Sequence, residues 1–214
     1  MKEELLQNLS KSIIAGFKER VEENVDKLVK EGISVDEILG SMTAAMEEVG
    51  AKYETREYFL PELVLAGQSM RAALSIILPK LKQEGKKFLG KILIGSVEGD
   101  VHDLGKSIVE SFLVGARYNV TDLGINVPVD VFVNKARELE VDVVGASAYM
   151  TTTTLQLPKI NEALKEAGIR DQVKYIIGGA STSEGYVSWA GADGWAENAA
   201  DAVLLVNNLL AYTN

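Results

Sequence analysis

Lys91-Ile-Leu-Ile-Gly-Ser-Val-Glu-Gly-Asp-Val-His-Asp-Leu-Gly-Lys106 is the stretch that decides how this chain folds. Its first seven residues form an apolar run of strand length without polar alternation, the pattern of a strand covered on both faces. The run stops at Glu98-Gly99, and a helical apolar pattern begins near residue 104. In sheets built this way ligands bind outside the carboxyl ends of the strands. The loop holding Asp100, His102 and Gly105 therefore lies where chemistry is expected.

Moving outward, four further runs repeat that grammar: Asn119–Leu123, Val141–Ala148, Val173–Ile177 and a weaker one near Asp193-Gly-Trp195. Helical candidates fall at about 104–116, 129–139, 154–168, 184–190 and 198–212. Strand and helix in alternation predict an α/β domain with a parallel sheet. The loops Asp100–Gly105, Ser147–Thr154 and Gly178–Ser183 all follow strands and should converge on one edge.

Residues 1 to about 87 have a different grammar. Leu5, Leu6, Leu9, Ile13 and Phe17 recur at helical spacing, as do Val21, Val25, Leu28 and Val29, then Ile38, Leu39, Met42, Met46 and Val49. Ser34-Val-Asp-Glu37 is a capping box opening the third helix. A fourth helix, roughly Pro61 to Leu81, is apolar nearly all round at Leu63-Val-Leu-Ala66 and should be covered on more than one side, by its bundle or by something docking on it. Gln83-Glu-Gly-Lys-Lys87 reads as a short linker, giving domains 1–87 and 88–214.

Composition narrows the function. The 214 residues carry a net charge of −9, with Lys+Arg 13 against Asp+Glu 15 in residues 1–88 and 9 against 16 in residues 89–214. An acidic second half argues against nucleic acid or an anionic membrane as partner. With no cysteine there is no disulfide, thiolate zinc site, iron–sulfur ligation or cysteine nucleophile. The N-terminus lacks the pattern of a signal peptide and nowhere do ~18 apolar residues run together, so a cytoplasmic location is expected.

His102 is the only histidine. A carboxylate two residues away can accept one ring N–H and aim the other nitrogen's lone pair at a metal. One protein ligand does not hold a bare zinc or iron ion, since such sites take three or four. A metal bound by His102 should arrive inside a cofactor, and both haem and corrinoid rings leave only axial positions to the protein. Gly99 through Ser107 is a near miss for a phosphate-binding loop, with five residues where four are needed and two of them aspartates. His102-Asp103 lacks the second histidine of a phosphohydrolase pair. Gly145-Ala-Ser-Ala-Tyr-Met-Thr-Thr-Thr-Thr154 ends a strand in four threonines where a helix cap needs one, and the glycines of Ile177-Gly-Gly-Ala-Ser181 let a flat ligand lie against backbone.

Asp100-x-His102-x-x-Gly105, Ser147-Ala-Tyr149 and Gly178-Gly179, in this order, resemble the cobalamin-binding domain of the base-off, histidine-on type. Val49-Gly-Ala-Lys-Tyr-Glu-Thr-Arg-Glu-Tyr-Phe-Leu-Pro-Glu-Leu63 resembles the helical cap of methionine synthase and of corrinoid methyl carriers. The resemblance implies a four-helix cap followed by a Rossmann-like, flavodoxin-like five-stranded parallel sheet. It implies that His102 is the lower axial ligand to cobalt, Asp100 its hydrogen-bond partner, Gly105 the close-approach residue, and Asp103 a further cofactor neighbour. Ser147 and Thr151 would contact the displaced base, Gly178, Gly179 and Ala180 would line the tail pocket, and Thr153 would complete the ligand relay. Tyr149 stands where the family usually has leucine, and Trp195 where it often has tyrosine. Tyr53, Leu60 and Leu63 fall on the cap positions that shield the methyl group.

The activity so implied is that of the corrinoid subunit of a multi-component methyltransferase, passing through methylcobalamin, Co(II) and Co(I) states. Its partners would be a substrate-specific methyltransferase on the donor side, an acceptor methyltransferase serving tetrahydrofolate or a thiol cofactor, and a reductive activase, the carrier itself being a monomer or homodimer. A cobalamin-dependent sensor and the small subunit of an adenosylcobalamin mutase are the alternatives; the first needs a DNA-binding module that has no room here, and the second generally lacks the helical cap.

Overall fold

The computed structural model describes residues 2–83 and 88–211. The expected linker lies, from residue 84 onward, outside the described residues. The chain divides into two compact units, Met1–Lys87 with Val114–Arg117 and Phe88–Leu113 with Tyr118–Asn214.

The helical unit contains α1 (Lys2–Ile14), α2 (Lys18–Lys30), α3 (Val35–Glu54) and α4 (Leu60–Gln83). Its core is the expected stripes: Leu9, Ile13, Val25, Leu28, Ile38 and Met42 are fully or almost fully buried. Ser34 caps α3, its hydroxyl accepting the Glu37 backbone N–H and donating to the Glu37 carboxylate. The start of α4 uses the reverse device, the Phe59 N–H donating to the Glu62 carboxylate at 2.9 Å. One expectation changes. Phe17 is not on the first helix's apolar stripe: α1 ends at Ile14, Gly16 turns the chain at φ +71°, and Phe17 lies exposed with the Arg20 guanidinium over its ring. A side chain at Gly16 would also strike the Cβ of Leu65, which fixes glycine there. On α4, Leu63 and Ala66 are buried while Leu65 stays half exposed, so the helix is not covered all round within its own unit.

The second unit alternates β1 (Lys91–Ser96), α5 (Leu104–Gly115), β2 (Asn119–Asp122), α6 (Val129–Leu139), β3 (Val143–Ser147), α7 (Leu157–Glu166), β4 (Lys174–Gly178), α8 (Tyr186–Ala190), β5 (Gly194–Trp195) and α9 (Ala199–Leu209). The strands form one parallel sheet in the order β2-β1-β3-β4-β5. The inner strands are buried on both faces, as their unbroken apolar runs required. The helix expected over 154–168 begins later: Thr153–Gln156 forms a single 3₁₀ turn, and α7 starts at Leu157 with Pro158 in its first turn, where proline's missing N–H is not needed.

This strand order has one reversal. From β1 the chain moves to β2 on one side, then returns to β3 on the other. The reversal falls between β1 and β3, and the carboxyl ends of the strands at such a point are the usual ligand position in open α/β sheets.

Candidate functional site

Asp100 lies on the loop leaving β1 at that point and is 1 % exposed. Its Oδ1 accepts from His102 Nδ1 at 2.7 Å and from the His102 backbone N–H at 3.1 Å. Its Oδ2 accepts from the Tyr149 N–H at 2.7 Å, the Met150 N–H at 3.3 Å and the Thr153 hydroxyl at 2.7 Å. One carboxylate thus joins the loop after β1 to the loop after β3. Burial alone would raise its pKa; the Thr153 hydroxyl, the Tyr149 N–H and His102 outweigh burial and hold it well below the usual carboxylate range.

An ionised Asp100 only accepts hydrogen bonds, so the hydrogen between it and His102 sits on Nδ1. In the neutral ring Nε2 then carries the lone pair, the arrangement a metal-ligating histidine needs. The His102 side chain is 41 % exposed, so the ring is open on part of its surface to a ligand. Backbone contacts brace the loop: the Ser96 hydroxyl donates to the His102 carbonyl at 2.7 Å, and the Asn126 N–H donates to the Asp100 carbonyl at 2.8 Å.

Among the described residues, no group of three or more histidine, cysteine, aspartate or glutamate side chains could hold a bare ion. A single axial imidazole suits a metal already held in a ring. The neighbouring loops fit such a ring: Val101, Leu104, Ile125 and Tyr149, all on loops or helix starts at the strands' carboxyl ends, are large apolar side chains left 43–63 % exposed. A Cβ on Gly105 would meet nothing, so its absence leaves surface open to a ligand rather than serving internal packing.

The other expected residues separate into groups. Thr153 is buried on Asp100, while Thr151 is exposed and its carbonyl accepts from the Thr154 hydroxyl at 2.7 Å. The threonine cluster therefore splits into one residue on the carboxylate and others shaping the turn. Ser147 is half-buried at the end of β3, its carbonyl accepting from the Val97 N–H at 3.0 Å. Gly179 sits at φ +108°, where a Cβ would stand 2.3 Å from the Ala148 carbonyl oxygen, so only glycine fits; Gly178 and Ala180 flank it, half-buried and exposed. Trp195 is partly buried, and its indole N–H donates to Thr182 Oγ1, whose hydroxyl donates to the Gly179 carbonyl. Asp103 precedes α5 and pairs with Lys106 at 2.8 Å while accepting from the Ser107 hydroxyl. Tyr53, Leu60 and Leu63 belong to the helical unit, where Tyr53 is half-buried, Leu60 is 47 % exposed and Leu63 is core.

Sequence reasoning passed over Lys106, buried and paired with both Asp103 and Asp122, and over Ser96, Asn126 and Ser181. Lys106 had a signal: seven residues before Leu113, it falls on the apolar stripe of α5, an unusual place for a charge. Asn126 and Ser181 act through hydrogen bonds to loops distant in sequence, and Ser96 through one to the loop six residues on; none of the three carries a local signature.

Fold and site together present one oriented imidazole beside exposed apolar side chains at the carboxyl edge of a parallel sheet. Two models described as B12 binding domain match the chain, one over residues 90–204 and the other over residues 5–78. A corrinoid protein of Desulfitobacterium hafniense is 39 % identical over 96 % of this chain and 97 % of its own length. A dimethylamine corrinoid protein of Methanosarcina acetivorans is 43 % identical over 98 % of this chain and 97 % of its own. Among solved structures, the methanol:cobalamin methyltransferase complex of Methanosarcina barkeri matches with a TM-score of 0.84 at 27 % identity, covering all of this chain and 82 % of that one. The chain belongs to the B12-binding corrinoid proteins of methyltransferase systems.

Proposed function

We propose that this protein is a methyl carrier that holds cobalamin base-off with His102 as the lower axial ligand, loaded by a donor-side methyltransferase and unloaded to an acceptor such as tetrahydrofolate or a thiol cofactor. The observation that carries the reading is the 2.7 Å contact of His102 Nδ1 with a buried Asp100 that is itself fixed from the neighbouring loop by Tyr149, Met150 and Thr153. When bound, the corrinoid supplies a cobalt centre that takes up a methyl group and gives it away.

The chain's own residues do the rest. Asp100 keeps the hydrogen on Nδ1 and presents Nε2 as a donor atom. The negative charge of Asp100 would hold the ring by Nδ1 whether or not Nε2 engaged the metal. Thr153 and the two backbone N–H groups keep that charge in place through the cycle. Ser147, Thr151, Gly178, Gly179 and Ala180 surround the route assigned to the displaced base. A reductive activase would restore the reactive oxidation state. Relatives named for dimethylamine support a methylated amine as the donor to try first, with donor recognition residing on the partner enzyme.

The test is incubation with hydroxocobalamin, desalting, reduction to Co(II) and electron paramagnetic resonance of wild type and His102→Ala. Wild type should retain corrinoid with nitrogen splitting from one axial imidazole, and His102→Ala should lose that splitting. A folded wild type that retains no corrinoid, or identical spectra in both proteins, would overturn the reading.

A further inference from the structure

We propose that the ring of Tyr149 is a positioning residue for His102, fixing the plane of the imidazole before any corrinoid arrives. The two rings are stacked, with centroids 4.0 Å apart and planes 19° from parallel. The hydrogen bond from Nδ1 to Asp100 pins one point on the edge of the imidazole. Rotation about the Cβ–Cγ bond of histidine has a broad energy profile and a hydrogen bond tolerates some tens of degrees of misalignment, so the pinned edge still lets the ring plane rock. With the side chain 41 % exposed, packing does not close off that freedom. A second ring lying flat against the first does.

Tyr149 is built to serve as such a stop. Its backbone is tied on both sides of the Cα: the N–H donates to Asp100 Oδ2 at 2.7 Å, and the carbonyl accepts from the Ser181 hydroxyl at 2.6 Å. The ring itself is half exposed, lies outside the apolar core and stacks on His102. Asp100 therefore sets both constraints. One oxygen holds the edge of the imidazole, and the other holds the backbone of the residue whose ring holds its face. The stack uses the aromatic face and not the phenol hydroxyl, so phenylalanine should replace tyrosine and leucine should not.

The inference deepens the function proposed above, but the stack belongs to the protein alone and is testable without cofactor. Because the chain has one histidine, proton NMR of the cofactor-free protein gives one pair of imidazole C–H resonances. These should lie upfield of an exposed imidazole, show nuclear Overhauser contacts to the Tyr149 ring, keep their position in Tyr149→Phe and move downfield in Tyr149→Leu. Absence of those contacts in wild type, or unchanged resonances in a folded Tyr149→Leu, would overturn the proposal; the wild-type contacts decide it even where the leucine variant does not fold. With hydroxocobalamin bound and reduced to Co(II), the ratio of histidine-ligated to water-ligated cobalt should fall about two- to tenfold in Tyr149→Leu, the strength of one aromatic pair, and recover in Tyr149→Phe. An unchanged ratio would overturn the positioning role. Failure of wild type to retain corrinoid would count against the methyl-carrier reading, while the cofactor-free spectra still decide the stack.

Discussion

The two units bury different things. Among the described residues, the helical unit buries two polar side chains, Ser12 and Ser69, within an otherwise apolar core. The sheet unit buries Ser96, Asp100, Lys106, Ser111, Thr153, Thr154, Asn161 and Asn207. A buried polar group must find partners to offset its lost hydration, and an apolar residue of similar shape is often as stable. Ser96, Asp100, Lys106, Thr153 and Thr154 gather at or just beyond the carboxyl ends of the strands, where they shape the loops around His102. The helical unit shows what patterning alone builds; the sheet unit shows where patterning was set aside for a site.

The sharpest way to break that comparison is Leu28→Ala, which removes a fully buried side chain from α2. About 3 kcal/mol of stability should be lost. Both tryptophans, Trp189 and Trp195, lie in the sheet unit, so their fluorescence reports on that unit alone. In a urea titration, far-ultraviolet circular dichroism should show a helical component melting earlier, while the fluorescence midpoint moves less. Equal shifts in both probes would show that the two units do not behave as separate structures.

The next effect belongs to the sheet unit. Asp100→Asn keeps the size of the side chain but places an NH₂ group against donors, and should destabilise the protein by about 2 kcal/mol. Its pH signature is specific. The native pKa of Asp100 lies below its unfolded value, so its contribution is complete above about pH 4 and is lost as the pH falls from there through the depressed native value. Denaturation measured across that acid range should show wild type losing more stability than Asp100→Asn. Parallel curves would remove Asp100 from the centre of the network.

The smallest effect returns to the helical unit. Ser34→Ala deletes the cap of α3 and should cost about 1 kcal/mol, seen by circular dichroism, with the corrinoid spectrum unchanged. A change in that spectrum would mean that the helical unit does more for the ligand than its packing indicates.

Much of this was legible before the fold was known. Lys91–Val97 announced a doubly covered strand because its apolar residues do not alternate, and Ser34 with Glu37 announced a helix start because capping acts within one turn. Phe17 misled, since helical spacing continues on paper past Ile14 while Gly16 turns the chain away. Thr154 misled for a related reason: the threonines serve a turn and a carboxylate first, and the helix waits for Leu157.

The sequence by itself determined the helical and α/β grammars, most of the core, and the local pair of Asp100 and His102, because periodicity and a spacing of two residues are properties of a single segment. Thr153 was assigned to this relay by resemblance alone; only the tertiary structure decided that the Tyr149 and Met150 backbone N–H groups, about fifty residues further along, would join it around the other oxygen of that carboxylate. That meeting follows from β3 lying beside β1, and strand order is set by how whole helices and strands pack rather than by any short stretch of residues.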